Sequence, residues 1–146
     1  MIEPATPADT DAVVELLCAQ LAEHDLATPR AAVAHAVAGM LAGPTPPGFI
    51  LVARIDDALV GVAYVSFIWA LEHGGRSAWL EELYVVPAER ERGVGTALLA
   101  AVIAGARAAG CAALDLEVTA DHTRAARLYA RTGFTALPRA RWVLAL

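Results

Sequence analysis

The run Leu83-Tyr84-Val85-Val86-Pro87-Ala88-Glu89-Arg90-Glu91-Arg92-Gly93-Val94-Gly95-Thr96 decides how this chain is read. A β-prone apolar stretch stops at Pro87, a short polar loop follows, and two glycines open an amphipathic run. That run predicts a helix over 93–109, with Leu98, Leu99, Val102, Ile103 and Ala106 as its apolar face and Gly110 as its stop. The first turn of a helix carries backbone N–H groups without intrahelical partners and the positive end of the dipole, a combination that suits a phosphate. Glycine allows a ligand to approach the backbone closely, and Arg90 and Arg92 add positive charge.

Three phosphate-binding patterns compete for this loop. The Walker loop requires a lysine, and the chain has none. The dinucleotide fingerprint GxGxxG is nearly met from Gly93, with Asp115 about 20 residues on, but Leu98 stands at the third glycine. The six residues 87–92 also separate strand from glycines, where the dinucleotide turn follows its strand directly. The third pattern is an arginine or glutamine, two residues, a glycine, one residue, and a glycine or alanine. Arg90-Glu91-Arg92-Gly93-Val94-Gly95 meets it.

Outward from the loop, the period of the apolar residues changes twice. Thr6, Pro7 and Asp9 form a helix-start signal ahead of a stripe made by Val13, Val14, Leu16, Leu17 and Leu21. Thr28-Pro29 starts a second helix to about Leu41, stopped by Gly43-Pro44, and 43–48 with its three prolines is a loop. Strands are predicted at 49–54 and 59–69 around an Asp56-Asp57 turn, and at 78–86 after a turn over 71–77. A strand at 112–118, a short helix at 123–131 and strands at 134–137 and 141–146 complete the order β-α-α-β-β-β-α-β-α-β-β. The expected class is α/β, a mixed sheet with helices on its faces.

A chain of 146 residues with no linker or repeat is read as one domain, 1–146. Apolar residues at 58% supply a sizeable core and exclude disorder. The chain carries 34 alanines, no asparagine, and arginine as all 11 of its basic residues. A net charge of −5 argues against nucleic acid as a partner and mildly favours cationic ones. Cys18 and Cys111 are isolated, and His24, His35, His73 and His122 lack ligand spacing, so neither a disulfide framework nor a metal site is expected. Met1-Ile2-Glu3-Pro4 lacks the features of an export signal, and no run reaches the roughly 18 apolar residues of a membrane span. A cytoplasmic protein that binds no membrane is expected.

The loop resembles that of the GNAT superfamily of N-acetyltransferases. Leu80-Glu81-Glu82-Leu83-Tyr84-Val85 is similar to the strand that precedes it in the family. Ala126-Arg127-Leu128-Tyr129-Ala130-Arg131-Thr132-Gly133-Phe134 is similar to the family's second block. The likeness covers most of the chain and is strongest over 79–134. It implies a splayed mixed sheet flanked by helices, in which the strands containing Val85 and Leu116 part to admit acetyl-CoA. It implies transfer to a primary amine by direct attack, without an acyl-enzyme and without a metal.

Residue by residue, the resemblance implies that backbone groups of Leu83, Tyr84 and Val85 hold the pantetheine arm. Arg90, Glu91, Arg92, Gly93, Val94, Gly95 and Thr96 would surround the pyrophosphate, with Arg131 near the 3′-phosphate. His122 occupies the position, seven residues before Tyr129, where the family often carries an asparagine against the cofactor. Tyr129 would protonate the leaving thiolate, although from its helix position alone it is as well read as an aromatic packed on the sheet. Glu81 would be the base that deprotonates the amine, or Glu82 in its place. Strand alternation sends adjacent side chains to opposite faces, so one of the two is expected at any given cleft.

Trp69, Leu71, Glu72 and His73 are candidates for the acceptor pocket and equally for core and turn. A small-molecule amine is the favoured acceptor. A protein N-terminus, or a CoA-binding regulatory module without turnover, is the alternative. Dimers are frequent in such families, and a homodimer is carried as a partner state.

Overall fold

Asp56 and Asp57 turn the first hairpin. Both take positive φ, 46° and 64°, the combination that matches a two-residue turn to the twist of its strands. They join β2 (Gly48–Ile55) to β3 (Ala58–Ala70). The computed structural model describes residues 1–42 and 45–146; the helix stop read at Gly43 and Pro44 lies outside them. The other strands are β1 (Ile2–Pro4), β4 (Gly75–Val85) and β5 (Ala113–Leu116), and the five lie in the sheet in chain order. β1 to β4 pair antiparallel. β5 pairs parallel to β4, which demands the crossover supplied by α3 (Val94–Ala108).

Two apolar cores lie on opposite faces of this sheet. On one, α1 (Thr10–Glu23) and α2 (Arg30–Leu41) bury Val13, Val14, Leu17 and Val37 against Ile50, Val52, Val62 and Tyr84. On the other, α3 buries Leu98, Leu99 and Val102 against Ala63, Val65, Ala78 and Leu80. Leu128 and Tyr129 of α4 (Thr123–Thr132) and Phe134 pack on this second core. Gly105 permits the close approach of α3, since a Cβ there would stand 3.1 Å from the Phe49 ring.

The architecture and fold class follow the sequence reading, and the termini depart from it. The strands predicted at 134–137 and 141–146 do not form. Gly133, at φ +103°, ends α4. Beyond it the chain is held by side chains, with Arg139 on Glu72 at 2.7 Å and Arg141 on Glu117 at 3.1 Å. Apolar composition alone does not make a strand, and the open side of β5 stays unpaired among the described residues. Here Pro138 interrupts the run, and Trp142 is 92% exposed. β5 is also shorter than the predicted 112–118.

The helix start read at Thr6 is a single 3₁₀ turn, Pro7–Asp9, leading into α1. The Asp9 carboxylate accepts from the Thr6 N–H at 2.9 Å, the Thr6 hydroxyl at 2.8 Å and the Arg54 guanidinium at 2.7 Å. These bonds, the backbone one foremost, hold its carboxyl at about 2 against an ordinary 3.8. They fasten the helix entry to β2. Asp9→Ala is expected to cost about 1–2 kcal/mol near neutral pH, the range of a lost cap. A carboxyl depressed by folding stabilises above its unfolded pKa and loses that contribution as pH falls through the folded value. Denaturation curves of the variant and the parent should therefore converge between pH 4 and pH 2.

Candidate active site

β4 outruns its parallel neighbour. Its pairing with β5 runs from Ser77↔Ala113 to Leu80↔Leu116 and stops there, while its pairing with β3 continues to Val85↔Gly61. Residues 81–85 thus have a strand on one side and, among the described residues, none on the other. The side of this stretch without a partner strand is an edge beside a gap in the ladder. The Val85 carbonyl is taken by Arg90, and the remaining groups can accept an extended ligand as an added strand. Leu83, Tyr84 and Val85 lie on this edge. The Tyr84 side chain is buried in the α1/α2 core, so that residue offers its backbone.

The gap leads to the glycine loop. Pro87–Glu89 makes one 3₁₀ turn, then Glu91 and Gly93 take positive φ, 64° and 87°, before α3 begins at Val94. The first bond into the helix, from the Ala97 N–H to the Gly93 carbonyl, is 2.9 Å. The N–H groups before it are the unpaired donors of a helix start. A Cβ at Gly93 would meet nothing within 4 Å, and one at Gly95 only the Val85 Cγ2 at 3.8 Å. The approach is open, α3 has no acid in its first turn, and a diphosphate fits these residues.

The arginines near the loop differ in their partners. Arg90 donates to the Val85 carbonyl at 2.8 Å and to Glu23 at 2.6 Å, and lies 5.4 Å over the Tyr84 ring. Its guanidinium ties the end of β4 to α1. Arg92 stays exposed beside the glycines, paired with Glu89 at 2.9 Å. Arg124 reaches Glu91 at 3.4 Å, bringing the first turn of α4, and with it His122, to the loop. The His122 ring meets the His24 ring edge-on at 4.5 Å. Arg131 is exposed in the last turn of α4.

The two acids come together where the alternation of β4 breaks. Glu82 opposes Tyr64 and Leu80 opposes Val65, which leaves Glu81 as an extra residue in a bulge. Leu80 and Leu83 both pack on the α3 core. The residues between them both line one cavity of about 340 Å³ under α1 and α2, with Tyr64 beside them. The expectation that one of the pair would reach a given cleft fails for this reason. Glu81 is exposed and accepts from the Ser66 hydroxyl at 2.7 Å.

Glu82 is half-buried and accepts from the side-chain amide of Gln20, a residue only 6% exposed whose Oε1 has no partner among the described residues. Burial first, then the charge of Glu81, raise the Glu82 carboxyl to about 7 against the partial opposition of Arg141. Gln20 was not singled out in the sequence reading. Its signal is its place on the apolar stripe of α1, one turn beyond Leu16 and Leu17.

Tyr129 packs edge-on against Phe134 at 5.7 Å. Burial raises its phenol to about 12, and the charge of Glu82 adds to the rise. The expected acid and the second of the two candidate bases are therefore electrostatically coupled.

Trp69, Leu71 and Glu72 do not line the cavity: Trp69 and Leu71 are exposed, and Glu72 holds Arg139. His73 joins a cluster that sequence alone did not reveal. His73 Nε2 lies 2.9 Å from Asp115 Oδ2, and the buried Ser77 hydroxyl donates to the same oxygen at 2.8 Å. With the carboxylate between serine and imidazole, the imidazole cannot take the serine's proton. The cluster clips β4 to β5.

The profile described as acetyltransferase (GNAT) family matches residues 11–134. Aminoglycoside N(6′)-acetyltransferase type 1 from Klebsiella aerogenes is 28% identical over 145 residues, 97% of this chain and 93% of that one. An integron cassette protein from the mobile metagenome of Cole Harbour Salt Marsh has a TM-score of 0.86 at 26% identity, over 99% of this chain and 90% of that one. An aminoglycoside N-acetyltransferase solved in complex with CoA has a TM-score of 0.84 at 20% identity, over 99% and 93%.

Gln20→Leu tests the geometry without any turnover. Losing the amide donor disfavours the ionised form of Glu82, so its carboxyl should titrate above 7. Carbon-13 NMR of the labelled glutamates reads this directly, and an unmoved resonance would show that the amide leaves Glu82 unaffected.

Proposed function

This chain belongs to the acetyltransferase (GNAT) family, and on that premise we propose that it moves the acetyl group of acetyl-CoA directly onto the primary amine of a small molecule, with Glu82 as base and Tyr129 as acid. One observation supports this above the rest. The sheet opens after Leu80↔Leu116, beside a carboxyl raised to about 7 and a phenol raised to about 12 by burial and that carboxyl. The relatedness to an aminoglycoside acetyltransferase favours a small molecule over a protein as acceptor.

In this reading the free edge at Leu83, Tyr84 and Val85 takes the pantetheine arm, and the N–H groups of residues 92–96 take the pyrophosphate. Arg92 supplies charge there, while Arg90 braces the loop through its bonds to Val85 and Glu23. His122, beside the loop, takes the asparagine's place toward the donor. Arg131 is the candidate for the 3′-phosphate. An amide near Val85 aimed at the thioester oxygen stabilises the tetrahedral oxyanion.

The amine arrives as an ammonium ion, since its pKa lies near that of lysine. Glu81 and Glu82 attract it, and Glu82, the more buried of the two and with its carboxyl raised to about 7, takes one proton. The free amine attacks the thioester carbon, a C–N bond forms, and the C–S bond breaks as the intermediate collapses. Tyr129 gives its proton to the departing sulfur. The second nitrogen proton leaves to solvent, so amide, free thiol and one proton are the products. A protonated Glu82 no longer opposes ionisation of the phenol, so the base's uptake of a proton strengthens the acid that acts next.

Three variants test this. Gly93→Glu places a carboxylate in the open approach to α3, and calorimetry should show acetyl-CoA affinity lowered at least a hundredfold in a folded protein. Unchanged affinity would remove the loop from the donor site. Tyr129→Phe should lower kcat by about 10²- to 10⁴-fold, the worth of general acid catalysis, with donor affinity near that of the parent. Glu82 must be ionised to accept a proton, so kcat/KM should rise as pH passes 7. Glu82→Gln should abolish that limb, and a limb that survives would move the role to Glu81 or to water.

A further inference from the structure

The cavity that holds the two acids has a sharp division of chemistry. Leu17 and Leu21 of α1 and Ala32, Val33, Ala36 and Val37 of α2 form most of its wall. None of these side chains can donate or accept a hydrogen bond. The polar groups are at one side: Glu81 and Glu82 on β4, with Tyr64, whose hydroxyl is directed at the Ala36 carbonyl at 3.4 Å. Thr28 adds a single hydroxyl. The volume, about 340 Å³, is at the lower end of the range of small-molecule sites, about 300–1,000 Å³.

We propose that the acceptor is a primary monoamine with an apolar tail, alkyl or aryl-alkyl, whose ammonium group sits at Glu81 and Glu82 while the tail fills the space between α1 and α2. This rests on the transfer reading above and names the class of amine. Charge complementarity fixes the orientation: among the described residues the wall's only carboxylates are the adjacent pair, so one cation is matched there and a second, along the apolar wall, has no counter-ion. Hydroxyls along the tail would enter among leucine, valine and alanine side chains and lose their water without replacement. A polyhydroxylated polyamine is therefore a poor fit, and a hydrocarbon gains with every carbon buried, about fourfold in affinity per methylene.

Thiol release from acetyl-CoA is measured with ethylamine, butylamine, hexylamine and 2-phenylethylamine, and with spermidine and the aminoglycoside neamine. The expected result is a kcat/KM that rises on the order of a hundredfold from ethylamine to hexylamine, with spermidine and neamine at least tenfold below hexylamine. Ala36→Phe fills the cavity from a position on the outer side of α2, and it should shrink the hexylamine-to-ethylamine ratio to about fivefold or less. Calorimetry with CoA confirms that the variant is folded. A flat dependence on tail length, an Ala36→Phe ratio equal to the parent's, or neamine or spermidine as the best substrate overturns the proposal and leaves the transfer reading standing. Tight CoA binding with no amine acetylated overturns the transfer reading itself and this proposal with it.

Discussion

Four pairs of residues, Ser77↔Ala113 to Leu80↔Leu116, make the ladder that joins β5 to the sheet, and the site depends on where that pairing ends. A longer ladder would close the edge of β4 at residues 81–85 and leave no opening. A shorter one would not hold β5. The Ser77–Asp115–His73 cluster supplements the ladder with side-chain bonds, and Arg76 adds a bond across to the Ala109 carbonyl at the end of α3. Immediately past the last pair lies the bulge at Glu81, a device found at sheet edges and active sites.

The same bulge explains the electrostatics. In a regular strand Glu81 and Glu82 would face opposite sides. With the two brought to one cavity, burial first and the neighbouring Glu81 charge second raise the Glu82 carboxyl. Gln20 is the compensating group, a buried amide that gives Glu82 a partner. Its unpartnered Oε1 suits the other protonation state, because a flipped amide would accept from a protonated carboxyl.

Much of this was legible in the sequence. Helices and strands declared themselves by apolar period, and the loop by its glycines and arginines, because those signals depend on neighbours within a few residues. What was not legible depends on pairing between distant segments. The bulge exists only as a mismatch between β3 and β4. Arg90 was legible as a cationic residue beside the loop, and its bond to Glu23, 67 residues away, was not. The strands expected after Phe134 had the right composition, yet the chain there forms no ladder with the open side of β5. Gln20 was visible as a polar interruption of an apolar stripe, yet its partner, 62 residues on, was not.

The sheet also acts as a partition. The core beneath α1 and α2 and the core beneath α3 share almost no side chains, with Val86 alone among the described residues packing on both. Apolar substitutions in the two cores should therefore combine additively, whereas Glu82 and Tyr129 remain coupled across the sheet. The wall of the cavity on one side can be rewritten residue by residue without disturbing the packing that sets the start of α3 on the other. A chain organised this way can change its acceptor over evolutionary time while its hold on the donor stays constant, so relatives of the same fold can diverge in the amine they take and still draw on one acetyl source.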